Sequence, residues 1–392
     1  MFRLISKQRT NLNQRRTADL QVLSASVSED LTQKAQTTID VVKVPSNINL
    51  NDVIAVYDNK GNFIYYGVIS SIKDTKISVN QFQSLFNDLQ LIVPQTSQYQ
   101  KNYYNQKTIS YITDLYLKSK EQGYQSIKNT MSSSLVPTFN GLIDLDVKNT
   151  FKGIEHIIVD NEQTHMPYPQ EKATLNLETY LYDTFNTYNR IVKPYIVDLN
   201  GAIKLVLFYP NGDIALGDET WDYNQKVIFD TWERVSNVEI TTKEEDTNTA
   251  VVYNSDGTTL RGAYTILNDG TIQQIANNTA IPNRLGTNKT KYIFDSNNVV
   301  LDLAKSQLPS LQYNHKITFN ISFDGQYKFS DFRLGQPIKF YSSVDNKVYD
   351  TILTAWKYNI KENSDEIKNA TFTLGKVRTS LTSKINKGLF KW

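Results

Sequence analysis

The sequence predicts a mainly β chain with α+β modules: two related small β-barrels separated by an α+β domain, with an inserted domain in the second barrel. Three observations lead there. Short runs of alternating apolar and polar residues fill both ends of the chain, helical periodicity is confined to the middle, and a stretch near the start can be laid over one near the end without a gap. The 392 residues leave room for several cores. A hydrophobic content of 40%, with 24 Tyr and 17 Phe, fits strand-rich folded structure.

Alternation begins near Asp19 and recurs over residues 37–44, 53–57, 63–72 and 76–79, the spacing of a small barrel or sandwich. Asp58-Asn-Lys-Gly-Asn62 collects residues that tolerate positive φ and predicts a hairpin between the third and fourth of these runs. The pattern reaches Val93-Pro94, so residues 1–98 are assigned to the first barrel, and the polar stretch from Gln95 to Gln106 reads as a linker.

Residues 99–233 predict an α+β domain. Ile109, Ile112, Leu115 and Tyr116 recur near a period of 3.6 over 107–122, ahead of Gly123. Leu177, Leu181, Phe185 and Tyr188 repeat the signal over 172–191, with Pro194 as the stop. A hairpin is expected from 195–198 and 202–209 around Leu199-Asn-Gly201, with a further turn at Pro210-Asn-Gly-Asp213.

Strands resume at 235–242 and 250–253 across the charged turn Lys243-Glu-Glu-Asp246, so 234–254 and 313–376 are assigned to the second barrel. Residues 255–312 interrupt it as an insertion rich in Asn, Thr, Gly and Asp, with hairpin turns at Ser255-Asp-Gly257 and Asn268-Asp-Gly270. A short helix over 298–308 is expected there, capped by Asn297 or Asn298 and closed by Pro309. Residues 377–392 form a basic C-terminal tail.

The internal repeat lays residues 51–72 over 335–356 at a constant offset of 284. Ile54/Ile338, Tyr57/Tyr341, Asn62/Asn346 and Tyr65/Tyr349 are identical, and each copy stands in a run of strands. Two related barrels in one chain would let three chains present six such units to a six-fold partner.

Chemistry is sparse. The absence of cysteine removes disulfides, thiolate metal sites and cysteine nucleophiles. A net charge of +2 supplies no field that names a nucleic-acid or acidic partner. No run of about 18 apolar residues is available to span a bilayer, and the start lacks the apolar core of a secretory signal, so the chain is expected to be soluble and made in a cytoplasm.

Glu155, His156, Asp160, Glu162 and His165 are the only local cluster of metal-ligand types, at a spacing that matches no zinc motif. His315 reads as a surface residue at a strand start. Ser255–Gly257 and Asp295–Asn298 lack the ligand run of a calcium loop. Glu244 and Glu245 read as solvated turn charges, and the tyrosines of 99–124 as packing residues. Nucleophile-elbow, phosphate-loop, dinucleotide and zinc-protease motifs are missing, so no catalytic, cofactor-binding or metal residue is nominated and no cofactor is expected. Both ends are basic: Arg3, Lys7, Arg9, Arg15 and Arg16 precede the first acid, while Lys368, Lys376, Arg378, Lys384, Lys387 and Lys391 follow the last. Partner docking is the favoured reading over DNA contact.

Phe332-Arg-Leu-Gly-Gln-Pro-Ile-Lys-Phe340, Ile352-Leu-Thr-Ala-Trp-Lys-Tyr358 and Ala370-Thr-Phe-Thr-Leu-Gly375, followed by the Ser/Thr-rich run Arg378–Ser383, resemble the tail hub family of long-tailed phages. That family is the N-terminal part of tail-associated lysins and shares the baseplate hub fold of contractile tails. The Asn-, Lys- and Tyr-rich style is similar to proteins of phages infecting low-GC Gram-positive hosts. The resemblance implies a tail-tube-like first barrel and a non-enzymatic virion protein of the tail tip. It further implies a homotrimer beneath the hexameric distal tail ring, in contact with the tape measure protein and receptor-binding proteins, closing or lining the channel through which DNA leaves. Relatives continue into a peptidoglycan hydrolase or fibre-binding extension where this sequence stops at Trp392. A carbohydrate- or receptor-binding virion protein is the alternative reading, and a peptidoglycan hydrolase the second.

Overall fold

The computed structural model describes residues 2–9, 11–17, 19–87, 90–92, 154–158, 174–188, 190–195, 203–242, 247–267, 272–276, 289–308, 315–323, 327–362, 364 and 366–375. The described part is mainly β. The early alternation becomes β1 (Arg3–Gln8), β2 (Asn11–Arg15), β3 (Leu20–Asp30), β4 (Gln36–Val41), β5 (Val53–Tyr57), β6 (Phe63–Lys73) and β7 (Lys76–Gln81). Pairing runs β1–β5–β6–β7–β4–β3 and returns to β1, so six strands form a closed path with β2 added outside β1. Period-2 alternation sends Leu4, Val22, Ile39, Val56, Tyr65, Ile77 and Val79 into one shared interior. The 58–62 hairpin is as expected: the Asp58 carboxylate accepts the N–H groups of Lys60 and Asn62, and Gly61 takes φ +84°.

The middle module contains β8 (Gln90–Ile92), β9 (Ile154–Ile158), β10 (Thr174–Asn176), helix α1 (Leu177–Tyr188), β11 (Ile191–Tyr195), β12 (Ile203–Phe208), β13 (Gly212–Leu216) and β14 (Glu219–Tyr223). The second expected helix is therefore shorter than 172–191, because 174–176 pair with β8 as a strand. Pro194 does not stop it: it lies in β11, opposite Leu205. β11 is an edge of the order β11-β12-β9, where a residue without an N–H is tolerated. The expected helix over 107–122 and the 199–201 turn lie outside the described residues.

The C-terminal part begins with β15 (Lys226–Phe229) and β16 (Val235–Thr242), followed by the insertion: β17 (Thr249–Tyr253), β18 (Leu260–Ile266), β19 (Ile272–Gln274), β20 (Thr290–Phe294) and helix α2 (Val300–Gln307). The chain then returns in β21 (His315–Ser322), β22 (Pro337–Ser342), β23 (Lys347–Lys361) and β24 (Asn369–Gly375). Two boundaries differ from the sequence reading. Residues 226–229, expected with 99–233, pair in parallel with β22, and 249–253, expected with the flanking strands, form the centre of the insertion's own sheet, β19-β18-β17-β20. Alternation identifies a strand's faces but not its partner, which is how both were misassigned.

Helix α2 covers that sheet through Ala304, joined by Leu308 just past its end, against Ala250 and Ile266. Its N-cap is Val299 with no side-chain cap. Asn297 and Asn298 instead donate their backbone N–H groups to the Asp295 carboxylate, which keeps them in the preceding turn.

Candidate assembly interface

The C-terminal strands pair in the path β15–β22–β23–β24–β21–β16. This is the order β1–β5–β6–β7–β4–β3 of the first unit, position for position, although β15–β22 is parallel and β1–β5 antiparallel. The register coincides too. Val53↔Val68, Ile54↔Gly67, Ala55↔Tyr66 and Val56↔Tyr65 correspond at the offset of 284 to Pro337↔Ile352, Ile338↔Thr351, Lys339↔Asp350 and Phe340↔Tyr349. The next ladder is irregular between Ile69 and Ser71 in one unit and between Leu353 and Ala355 in the other, the same place at that offset. Convergent hairpins share alternation, but nothing in alternation places a bulge.

The turn entering each unit's hairpin is also the same. Asn51 and Gly335 both have positive φ, +68° and +89°. Asn51 N–H donates to Ile69 O and Ile69 N–H to Asp52 O, while Gly335 N–H donates to Leu353 O and Leu353 N–H to Gln336 O. Asp52 and Gln336, both buried, each accept the N–H three residues back, from Asn49 at 2.9 Å and Arg333 at 3.0 Å. A residue forced into the left-handed region is costly unless its surroundings require it, so a conserved use of it within one chain marks a structural device. In the second unit the device also grips the middle module: Gln336 Nε2 donates to Asn224 O at 2.9 Å, and a Cβ at Gly335 would overlap Ile191 Cδ1.

The two units are joined edge to edge. Beyond β22, strand β23 runs antiparallel to β3 from Ala355↔Asp30 to Lys361↔Ser24. At this joint Trp356 Nε1–H donates to Glu29 Oε2 at 2.7 Å. Burial pushes the Glu29 pKa up to about 7, against the Trp356 hydrogen bond and the charge of Lys193. Burial, with the Arg333 guanidinium, pulls Lys193 down to about 8. The Lys193 ammonium lies 5.0 Å over the Trp221 ring, whose N–H donates to Glu219 Oε1 at 2.8 Å. Helix α1 docks on the first unit through Gln81, whose amide meets Asp30, Gln33 and Tyr182, and through Glu178, which accepts from Ser84 at 3.0 Å and pairs with Lys34 at 3.2 Å.

Glu155 and His156 fall on β9, while Asp160, Glu162, His165, Glu244 and Glu245 lie outside the described residues; among the described residues no group of three His, Asp or Glu is placed to hold a metal. His315 begins β21 as expected but is buried, its ring 4.7 Å from that of Tyr349, which corrects the surface reading. Asp256 accepts from Thr258, and Asp295 from Asn297 and Asn298, so both loops are hydrogen-bonded turns. Four of the N-terminal cations have partners within the chain: the Lys7 ammonium is buried on Leu12 O, Arg3 and Arg15 meet Asp19, and Arg16 meets Asp52. Residues 376–392 and the tyrosines of 99–124 lie outside the described residues. No helix of the described residues is long and apolar enough to cross a membrane.

No protein-family model matches the chain, and no curated protein does. Among solved structures the neighbours include phage tail and baseplate proteins, a component of the type VI secretion system and a Francisella PdpA-VgrG complex. The prophage tail protein gp18 of Listeria monocytogenes is 13% identical, with 99% of each chain covered and a TM-score of 0.46. The tail protein of Neisseria meningitidis is 9% identical, with 96% of each chain covered and a TM-score of 0.47. The 43 kDa tail protein of a Shewanella oneidensis prophage is 10% identical, covering 96% of this chain and 98% of its own, also at 0.47.

Proposed function

We propose that the chain is a structural hub at the tail tip of a long-tailed phage of a low-GC Gram-positive host, made in the host cytoplasm and carried in the virion. Three copies form a ring under the hexameric distal tail protein, join it to the host-binding apparatus, and close or line the DNA exit channel. The observation that carries this is the pair of six-stranded units with one strand order and one register. The reading takes these as two copies of one barrel, so a trimer presents six similar units to a six-fold ring. Multi-angle light scattering of the purified chain, alone and with its distal tail ring, tests it. The expected mass is that of three chains, or three chains per six-fold ring. A chain that stays monomeric in both samples overturns the proposal.

One observation favours a second reading, a carbohydrate- or receptor-binding role. On the insertion, the Tyr253 and Phe294 rings stack at 5.9 Å, and Phe294, Tyr292 and Leu260 are 60%, 57% and 54% exposed. Aromatic faces of this kind stack on apolar sugar faces. Glycan-array binding by a monomeric chain, lost on Phe294→Ala, would move the assignment there.

A further inference from the structure

The joint between the two units has a counterpart that the described residues leave open, and this deepens the trimeric reading, on which it rests. Past the end of β22, strand β23 is paired on its far edge by β3. Past the end of β5, strand β6 reaches Ser71, Ile72 and Lys73, which pair with β7 on one side and with no other described strand. The acceptor side repeats as well. Val22↔Val41 and Ser26↔Thr38 of the first unit correspond to Val235↔Ile321 and Glu239↔Thr318 of the second, so β16 stands where β3 stands. The outer edge of β3 holds β23, whereas β16 pairs with β21 alone among the described strands.

Carrying the β23–β3 register across gives definite partners. Trp356↔Glu29 becomes Ile72↔Thr242, and Lys357↔Ser28 becomes Lys73↔Thr241. Among the described residues neither segment has a strand on this edge, and an unpaired edge is a template for another chain. Lys73, Glu239, Thr241 and Thr242 are all exposed. In antiparallel register Lys73 would lie diagonally from Glu239 on the same face, about 7–8 Å away, within reach of a Lys side chain.

We infer that the edge of β6 in one copy of this chain pairs antiparallel with the edge of β16 in the next copy, repeating between chains the joint that β23 and β3 make within one. Every unit then meets its neighbours through one kind of contact, and a heterologous contact that closes after three chains makes a ring.

The absence of native cysteine makes the test clean. Lys73→Cys with Thr241→Cys in one chain is oxidised and run without reductant, beside Lys357→Cys with Ser28→Cys, which reports the equivalent joint inside the chain. The expected result is a covalent trimer from the first pair and an intrachain link from the second. A trimer by light scattering in which the first pair does not link while the second does overturns this interface and leaves the hub standing. A monomer by light scattering overturns both. An independent measurement is charge reversal: Lys73→Glu should weaken the trimer several-fold and Glu239→Lys in the same chain should restore it, and a trimer indifferent to both changes also refutes the contact.

Discussion

Gly335→Ala tests how the turn shared by the two units fastens the middle module. At φ +89° an alanine is strained by roughly 1–2 kcal/mol relative to glycine, from the approach of its Cβ to the backbone. The added methyl would also overlap Ile191, which is buried with Phe185, Val206 and Phe208, and forcing such a side chain aside costs about 1–3 kcal/mol. Together about 2–5 kcal/mol is expected. Gly61→Ala is the control: its φ is +84°, but nothing stands within 4 Å of the new Cβ, so only the backbone part applies. Urea titration followed by tryptophan fluorescence is a suitable assay, because Trp221 sits in the core that contains Ile191 and Trp356 at the β23–β3 joint. The Trp221 transition should move to lower urea in Gly335→Ala by clearly more than in Gly61→Ala. Equal shifts would refute the argument, showing that Ile191 yields at no cost and that only the backbone conformation matters.

Glu29→Gln keeps an acceptor for Trp356 and removes the ionisation. The folded pKa of Glu29, about 7, lies above its ordinary 4.5, so the stability tied to its neutral form is complete below about pH 4.5 and lost as pH rises through 7. The variant should match the parent at pH 4.5 and exceed it at pH 8, and identical pH slopes in thermal denaturation would sink the assignment. Lys193 has the opposite sign: its depressed pKa ties stability to the neutral amine, present above about 10.5 and lost as pH falls through 8. Lys193→Met should therefore flatten the loss of stability between pH 10 and 7, and an unchanged profile would count against burial of the ammonium. Gln81→Ala should cost about 0.5–1.5 kcal/mol, since it removes hydrogen bonds to half-buried groups of Asp30 and Tyr182 and to the backbone of exposed Gln33. A loss below about 0.5 kcal/mol in the same urea assay would mean that water replaces the amide.

Much of the strand framework was legible because its chemistry is local. Asp58–Asn62 specifies its own hairpin, and the overlay of 51–72 on 335–356 marks the residues that share a register in the structure. The positive φ of Asn51 was hidden because asparagine signals a left-handed residue less strongly than the glycine aligned with it. What could not be read is set by partners far away in sequence. Residues 226–229 look like any short apolar run, and only the parallel register with β22 assigns them to the second unit. His315 alternates correctly for a strand start, yet Tyr349, which buries it, comes from another strand. Arg3 and Arg16 look like part of a free basic patch in one dimension, and their acids, Asp19 and Asp52, are brought to them by the pairing of strands, whereas Arg15 meets Asp19 only four residues on. The candidate interface was invisible for the same reason, since an open edge is a property of pairing rather than of composition.

The β23–β3 joint also sets an order of events. Trp356 and Glu29 meet across 327 residues of sequence, while the strands of the first unit are all in hand by Gln81. During synthesis the first unit can close early, but the outer edge of β3 must wait for residues 355–361 to emerge. Throughout that interval the nascent protein carries a bare strand edge able to recruit the wrong partner, so the slow, vulnerable step in making this molecule is the arrival of β23.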